Sequence, residues 1–201
     1  MTAVAPEPDA TRRIVTIGVS IAVPDPWGGE VQRARRAYGD PLADVVATHV
    51  TLLGPTPVKV SELDSVGRHL ADVAADFAPF RIRLAGTGSF RPVTQVAYLR
   101  LARGGDECAA LARAICAGPL ARELGFPYRP HVTLAHDVTP DRLTAAERDF
   151  ADYTAEFAVE RFELSALVAS GPWRVLRGFE LAERGPHGGG AGARPAESTS
   201  G

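Results

Sequence analysis

His49-Val50-Thr51-Leu52 and His131-Val132-Thr133-Leu134 are the same tetrapeptide, written twice in a chain of 201 residues. Side chains alternate between the two faces of an extended strand, so each His shares a face with its Thr, roughly 6–7 Å further along. Val50 and Leu52, like Val132 and Leu134, then point the other way, into a core. Each copy anchors itself with one face and presents an imidazole and a hydroxyl with the other.

Reading outward, strand-like and helix-like stretches alternate. Val15, Ile17, Val19 and Ile21 have the period of a strand. Pro26 opens a helix to about Ala37, ended by Gly39-Asp40-Pro41, and the first motif strand follows. Ser61 reads as an N-cap, with Leu63, Val66, Leu70, Val73 and Phe77 at helical spacing behind it. Phe80 to Phe90 and Gln95 to Ala102 read as strands joined by a turn at Arg91-Pro92. A helix from about Asp106 (Leu111, Ile115, Leu120) leads into the second motif strand. A helix from Asp141 and strands near Phe157–Val168 and Trp173–Ala182 complete the pattern. The motifs lie 82 positions apart (131 minus 49), and each half reads helix, motif strand, helix, strand, strand. The expected fold is α+β: a bilobal, pseudo-two-fold duplication. Two mostly antiparallel sheets would face a central groove, with helices outside.

Composition narrows the class. The chain is 45% hydrophobic and 23% charged, ordinary for a globular protein, and suits one domain over residues 13–182. Residues 1–12 are expected to be a disordered tail and 183–201 a flexible Gly/Ala/Ser-rich one. No run is long enough to span a membrane, and Pro6, Glu7, Pro8 and Asp9 stand where a leader would be apolar. A cytoplasmic monomer is expected. The net charge of −2 leaves no basic footprint for a long duplex. Cys108 and Cys116, eight apart on one expected helix, are too distant for a disulfide and read as core residues. No Gly-x-x-x-x-Gly-Lys-Ser/Thr segment is present, which excludes a P-loop nucleotide hydrolase. Lys59, the sole lysine, lacks the setting needed for a covalent nucleotidyl intermediate.

The duplicated motif suits phosphodiester chemistry. Opening a cyclic phosphate needs a base for the incoming hydroxyl and an acid for the leaving oxygen. Two imidazoles can take one role each. Thr51 and Thr133 would donate hydrogen bonds to the non-bridging oxygens. Arg129 could add a cation, and Tyr128, Phe126 or Phe90 could stack on a base. A metal on His131, His136 and Asp137 is disfavoured, because an offset of five places His131 and His136 on opposite faces of a continuing strand. No cofactor is expected. His69 reads as a surface residue and His187 as part of the tail.

These residues resemble the 2H phosphoesterase superfamily, in particular its bacterial 2′-5′ RNA ligase-like (RNA 2′,3′-cyclic phosphodiesterase) branch. The likeness rests on Thr48 to Leu53, on Arg129 to Ala135, on the Ile17 to Pro24 strand and on Trp173-Arg174-Val175-Leu176. It implies a bilobal fold and metal-independent hydrolysis of 2′,3′-cyclic phosphates of RNA ends or nucleotides to 2′-phosphates. In some relatives it also implies 2′-5′ joining of RNA. By that likeness His49 and His131 are the acid–base pair, and Thr51 and Thr133 bind phosphate. One departure stands out: many relatives carry Arg or Lys where this chain has His136. Two other readings share the motif. One is a non-catalytic binder of RNA ends or phosphorylated small molecules. The other is a phosphodiesterase for linear 2′-5′ oligonucleotides or a cyclic ADP-ribose phosphate.

Overall fold

The alternating segment Ile14–Ala22 forms β1, burying Ile17, Val19 and Ile21. It pairs antiparallel with β2 (His49–Lys59), and helix α1 (Trp27–Tyr38) connects the two, ending at Gly39. The computed structural model describes residues 13–122, 127–167 and 171–182. After β2 come α2 (Leu63–Asp76), β3 (Phe80–Ser89), β4 (Val96–Arg103) and α3 (Gly105–Ile115). Then follow β5 (His131–His136), α4 (Pro140–Asp149), β6 (Thr154–Val159), β7 (Arg161–Leu167) and β8 (Trp173–Glu180).

Among the described residues, the eight strands belong to one antiparallel sheet in the order β6-β3-β4-β5-β2-β1-β7-β8. The two expected sheets are therefore halves of one, joined where Val50 pairs with Val132 between β2 and β5. The sequence is not divided between these halves in simple succession. The repeated unit is strand, helix, motif strand: β1-α1-β2 and β4-α3-β5. β3 then adds to the half that holds β4, and β7 to the half that holds β1.

One connection shows how the sheet curves. The stretch expected as a single strand over Phe157–Val168 is two strands separated only by Glu160. β6 is the first strand of the sheet and β7 the seventh. Six strand spacings would separate them by roughly 29 Å in a flat sheet, whereas the two steps from Val159 to Arg161 span at most roughly 7 Å. The sheet must therefore curl until its ends meet.

Buried side chains of the helices (Leu70, Leu111, Ile115, Leu143) join those of the strands in a single apolar cluster. Val50, Leu52, Val132 and Leu134 are in it, each at most 2% exposed. Burying such side chains contributes roughly 1.5–3 kcal/mol each and locks the motif strands in register. Two local expectations are corrected. Ser61 lies in a 3-10 turn (Val60–Glu62), where the Lys59 amide donates to the Glu62 carboxylate, and Glu62 is the residue before α2. Helix α3 stops at Ile115, so Leu120 packs from a separate 3-10 turn after Gly118-Pro119. Cys108 is fully buried, which raises its thiol to about 12, in keeping with a core role. Among the described residues no helix is long and apolar enough to cross a membrane.

Candidate active site

The motif strands carry matching irregularities. In the β1–β2 ladder Ser20 pairs with Thr51 and Val19 with Leu53, leaving Leu52 as an extra residue. In the β4–β5 ladder Tyr98 pairs with Thr133 and Ala97 with Ala135, leaving Leu134 extra. Each is a β-bulge directly after the motif Thr. A bulge shifts the alternation by one, so Leu52 and Leu53 are both buried, as are Leu134 and Ala135. His136 consequently returns to the side of His131 and Thr133, against the expectation that an offset of five would separate them. It lines one cavity with His49 and a second with both His49 and Thr133. A bulge of this kind leaves no mark in a single apolar run, which is why the alternation rule failed here. Even so, no group of three or more His, Cys, Asp or Glu able to hold a metal occurs among the described residues.

The two imidazoles are held alike. His49 Nδ1 donates to the Ala47 carbonyl at 2.7 Å, and His131 Nδ1 donates to the Arg129 carbonyl at 2.8 Å. A carbonyl oxygen can only accept, so the proton of each neutral ring sits on Nδ1 and Nε2 is left basic. The Thr51 hydroxyl donates to His49 Nε2 at 3.0 Å. Nε2 of His131 has no hydrogen-bond partner among the described residues. Burial holds both histidines below their ordinary 6.5, partly offset by the two carbonyl bonds. The charges of Arg35 and His131 lower His49 further, and that of Arg129 lowers His131.

Of the other expected residues, Arg129 is exposed and reaches the Tyr98 hydroxyl at 3.3 Å. Phe90 stacks on Tyr98 with centroids 4.4 Å apart and meets the His131 ring edge-on at 4.9 Å. Tyr128 packs against the core, and its hydroxyl donates to the Thr51 carbonyl at 2.7 Å, so it braces β2. Phe126 and His187 lie outside the described residues, as do both tails. His69 is half-buried rather than on the surface and bonds the Ile115 carbonyl at 3.1 Å, tying α2 to α3.

Three residues near the site were not anticipated. Arg35 is buried on α1, ion-paired to Asp40 at 2.8 Å, and lines a cavity of about 90 Å³ with His49, Thr133 and His136. Its one sequence signal is helical spacing, four residues after the buried Val31. Glu163 and Trp173 line a larger cavity of about 400 Å³ that also holds His49 and Thr51. Glu163 comes to the site across the ladder, through Ser20, which pairs with both Thr51 and Glu163, so no local pattern marks it; the sequence marks Trp173 only as part of the closing hairpin, without a role in the site.

The model of the 2′-5′ RNA ligase superfamily matches residues 23–169. The chain belongs to that superfamily. It is thus a 2H phosphoesterase. A protein of Bacillus licheniformis named as a candidate phosphoesterase is 27% identical over 154 residues, covering 76% of this chain and 90% of that one. One of Bacillus pumilus is 28% identical over 160 residues, covering 78% and 92%. Among solved structures, E. coli LigT in complex with 3′-AMP superposes with a TM-score of 0.62 at 19% identity, covering 85% of this chain and 100% of LigT. A protein of Thermus thermophilus gives 0.56 at 24%, covering 85% and 100%. These two likenesses concern the fold.

Proposed function

We propose that this 2H phosphoesterase opens 2′,3′-cyclic phosphates, at RNA ends or in nucleotides, and leaves 2′-phosphates. The observation that carries the reading is the matched pair of Nδ1-to-carbonyl bonds, which makes both Nε2 atoms the working nitrogens. One neutral imidazole takes the proton of the attacking water. The other, protonated, gives its proton to O3′ as the P–O3′ bond breaks. A 5′-hydroxyl in place of water would break the same bond and form a 2′-5′ linkage. Proton transfer of this kind is worth roughly 10²–10⁴-fold in rate and asks for no metal in this scheme.

Thr51 and Thr133 supply hydrogen bonds to the non-bridging oxygens, with Arg129 and His136 as further contacts. Thr51 has to release His49 Nε2 when phosphate arrives, exchanging one hydrogen bond for another. Solved forms of LigT with 3′-AMP, ATP and phosphate support nucleotides as ligands for a groove of this fold. The test is hydrolysis of 2′,3′-cyclic nucleotides and a short cyclic-phosphate RNA in EDTA, with the 2′- and 3′-phosphate products resolved. A 2′-phosphate formed at an EDTA-insensitive rate is expected. No turnover of either substrate by folded protein would overturn the proposal.

A further inference from the structure

The two sides of the groove are built from equivalent strand positions and filled differently. Ser20 pairs with Thr51 and with Glu163; Tyr98 holds the matching place, paired with Thr133 and with Gly88. On the His131 side the rings of Tyr98 and Phe90 occupy the space beside the imidazole. On the His49 side Ser20 and Ser165 are small, and a cavity of about 400 Å³ opens there. Trp173 walls it with its ring laid against β1, where a Cβ added to Gly18 would stand 3.1 Å from the indole. Leu42 and Pro55 add apolar surface.

One carboxylate enters this apolar space. Glu163 is 14% exposed, and its Oε1 accepts from Arg161 at 3.0 Å. Its Oε2 accepts no hydrogen bond among the described residues. A mostly apolar cavity walled by an indole, with Glu163 as the one acceptor-only side chain in its lining, suits a planar ring with adjacent N–H donors. Guanine presents N1–H and the 2-amino group side by side. Uracil flanks its single N–H with two carbonyls, which a carboxylate repels. Adenine and cytosine set their amino group beside an acceptor nitrogen.

We infer that the cavity beside His49 is a nucleobase subsite that favours guanine, with Glu163 reading the N1–H and 2-amino edge and Trp173 covering the ring face. This assignment rests on the proposed cyclic-nucleotide reading and adds a base preference to it. The substrate would lie with its nucleoside on the His49 side, and any RNA 5′ to it would leave along the groove past His131.

The test compares kcat/KM for the four nucleoside 2′,3′-cyclic phosphates in the unmodified full chain and in Glu163→Gln. The guanosine substrate is expected to lead the uridine one by about tenfold or more, the scale of a charge-assisted pair of hydrogen bonds. Glu163→Gln is expected to reduce that ratio by about tenfold. Because the readout is a ratio, a change in the folded fraction cancels. Calorimetric titration with guanosine and uridine 2′-phosphates supplies an arm independent of turnover. Tighter guanosine binding that is lost in Glu163→Gln, without hydrolysis of any substrate, would keep the subsite and overturn the hydrolytic reading. A flat profile over the four bases with equal binding of both nucleotides would overturn the subsite, as would a guanine preference unmoved by Glu163→Gln.

Discussion

Val50 and Val132 are registered partners where β2 meets β5, the contact that makes one sheet of two halves. In an antiparallel ladder this sets His49 opposite Thr133 and Thr51 opposite His131, so each imidazole stands beside the other motif's hydroxyl. The smaller cavity, shared by His49 and Thr133, has this arrangement. The histidines are thus diagonal across the strand pair, near enough for the charge of one to disfavour protonation of the other. If they act as separate acid and base, His49→Ala and His131→Ala should each lower kcat by about 10²–10⁴. Far-ultraviolet circular dichroism should stay unchanged, since neither ring is part of the apolar cluster. Full activity in both variants would refute the assignment.

The pH profile follows from the direction of both shifts. The proposed scheme needs one imidazole neutral and the other protonated, and both titrate below 6.5 in the folded protein. The bell in kcat/KM should therefore peak on the acid side of 6.5 and fall towards neutrality as the acid loses its proton. Stability is linked in sign. As pH falls through 6.5 the unfolded chain takes up protons first, so stability declines down to the folded values of the two histidines. A rate that climbs to a plateau above pH 7.5 would contradict this.

Replacing Thr51 or Thr133 by Val removes a hydroxyl and keeps the β-branched shape. Each variant should lose about ten- to a thousandfold in kcat, the range for one donor to developing charge. Thr51→Val should also free His49 Nε2 of its hydrogen bond. Unchanged kcat in both would remove the threonines from the reaction.

Asp40 shapes the segment that leads to His49. Its carboxylate takes Arg35 Nε at 2.8 Å and the Leu42 amide at 2.8 Å, while Arg35 also donates to the Val46 carbonyl. Both side chains are buried, at 4% and 0% exposed. Asp40→Ala would leave a buried guanidinium uncompensated, at a cost of about 3–5 kcal/mol read by urea unfolding. A loss under 1 kcal/mol would mean that water reaches Arg35.

Gly88 lets the Tyr98 ring lie flat on β3, since an added Cβ would stand 2.8 Å from that ring. Tyr98 in turn packs on His131 with centroids 5.3 Å apart. Gly88→Ala should destabilise the protein by about 1–3 kcal/mol and lower kcat by displacing that stack. Wild-type melting temperature and kcat together would count against it.

The order of strand-like and helix-like patterns along the chain determined the class of fold, and the repeated tetrapeptide determined the catalytic candidates and the burial of Val50, Leu52, Val132 and Leu134. All of these depend on alternation within a few residues, and that information is local. The helices were legible for the same reason, apart from their ends. Only the tertiary structure decided that the halves form one sheet, because Val50 and Val132 are joined by pairing across 82 positions and not by chain pattern. It also decided the placement of His136, since the bulge at Leu134 depends on how β5 meets β4. Arg35, Glu163 and Trp173 reach the groove from a helix and two strands distant in sequence. Glu163 stands two strands from Thr51 through their common partner Ser20, a pairing that no single segment encodes.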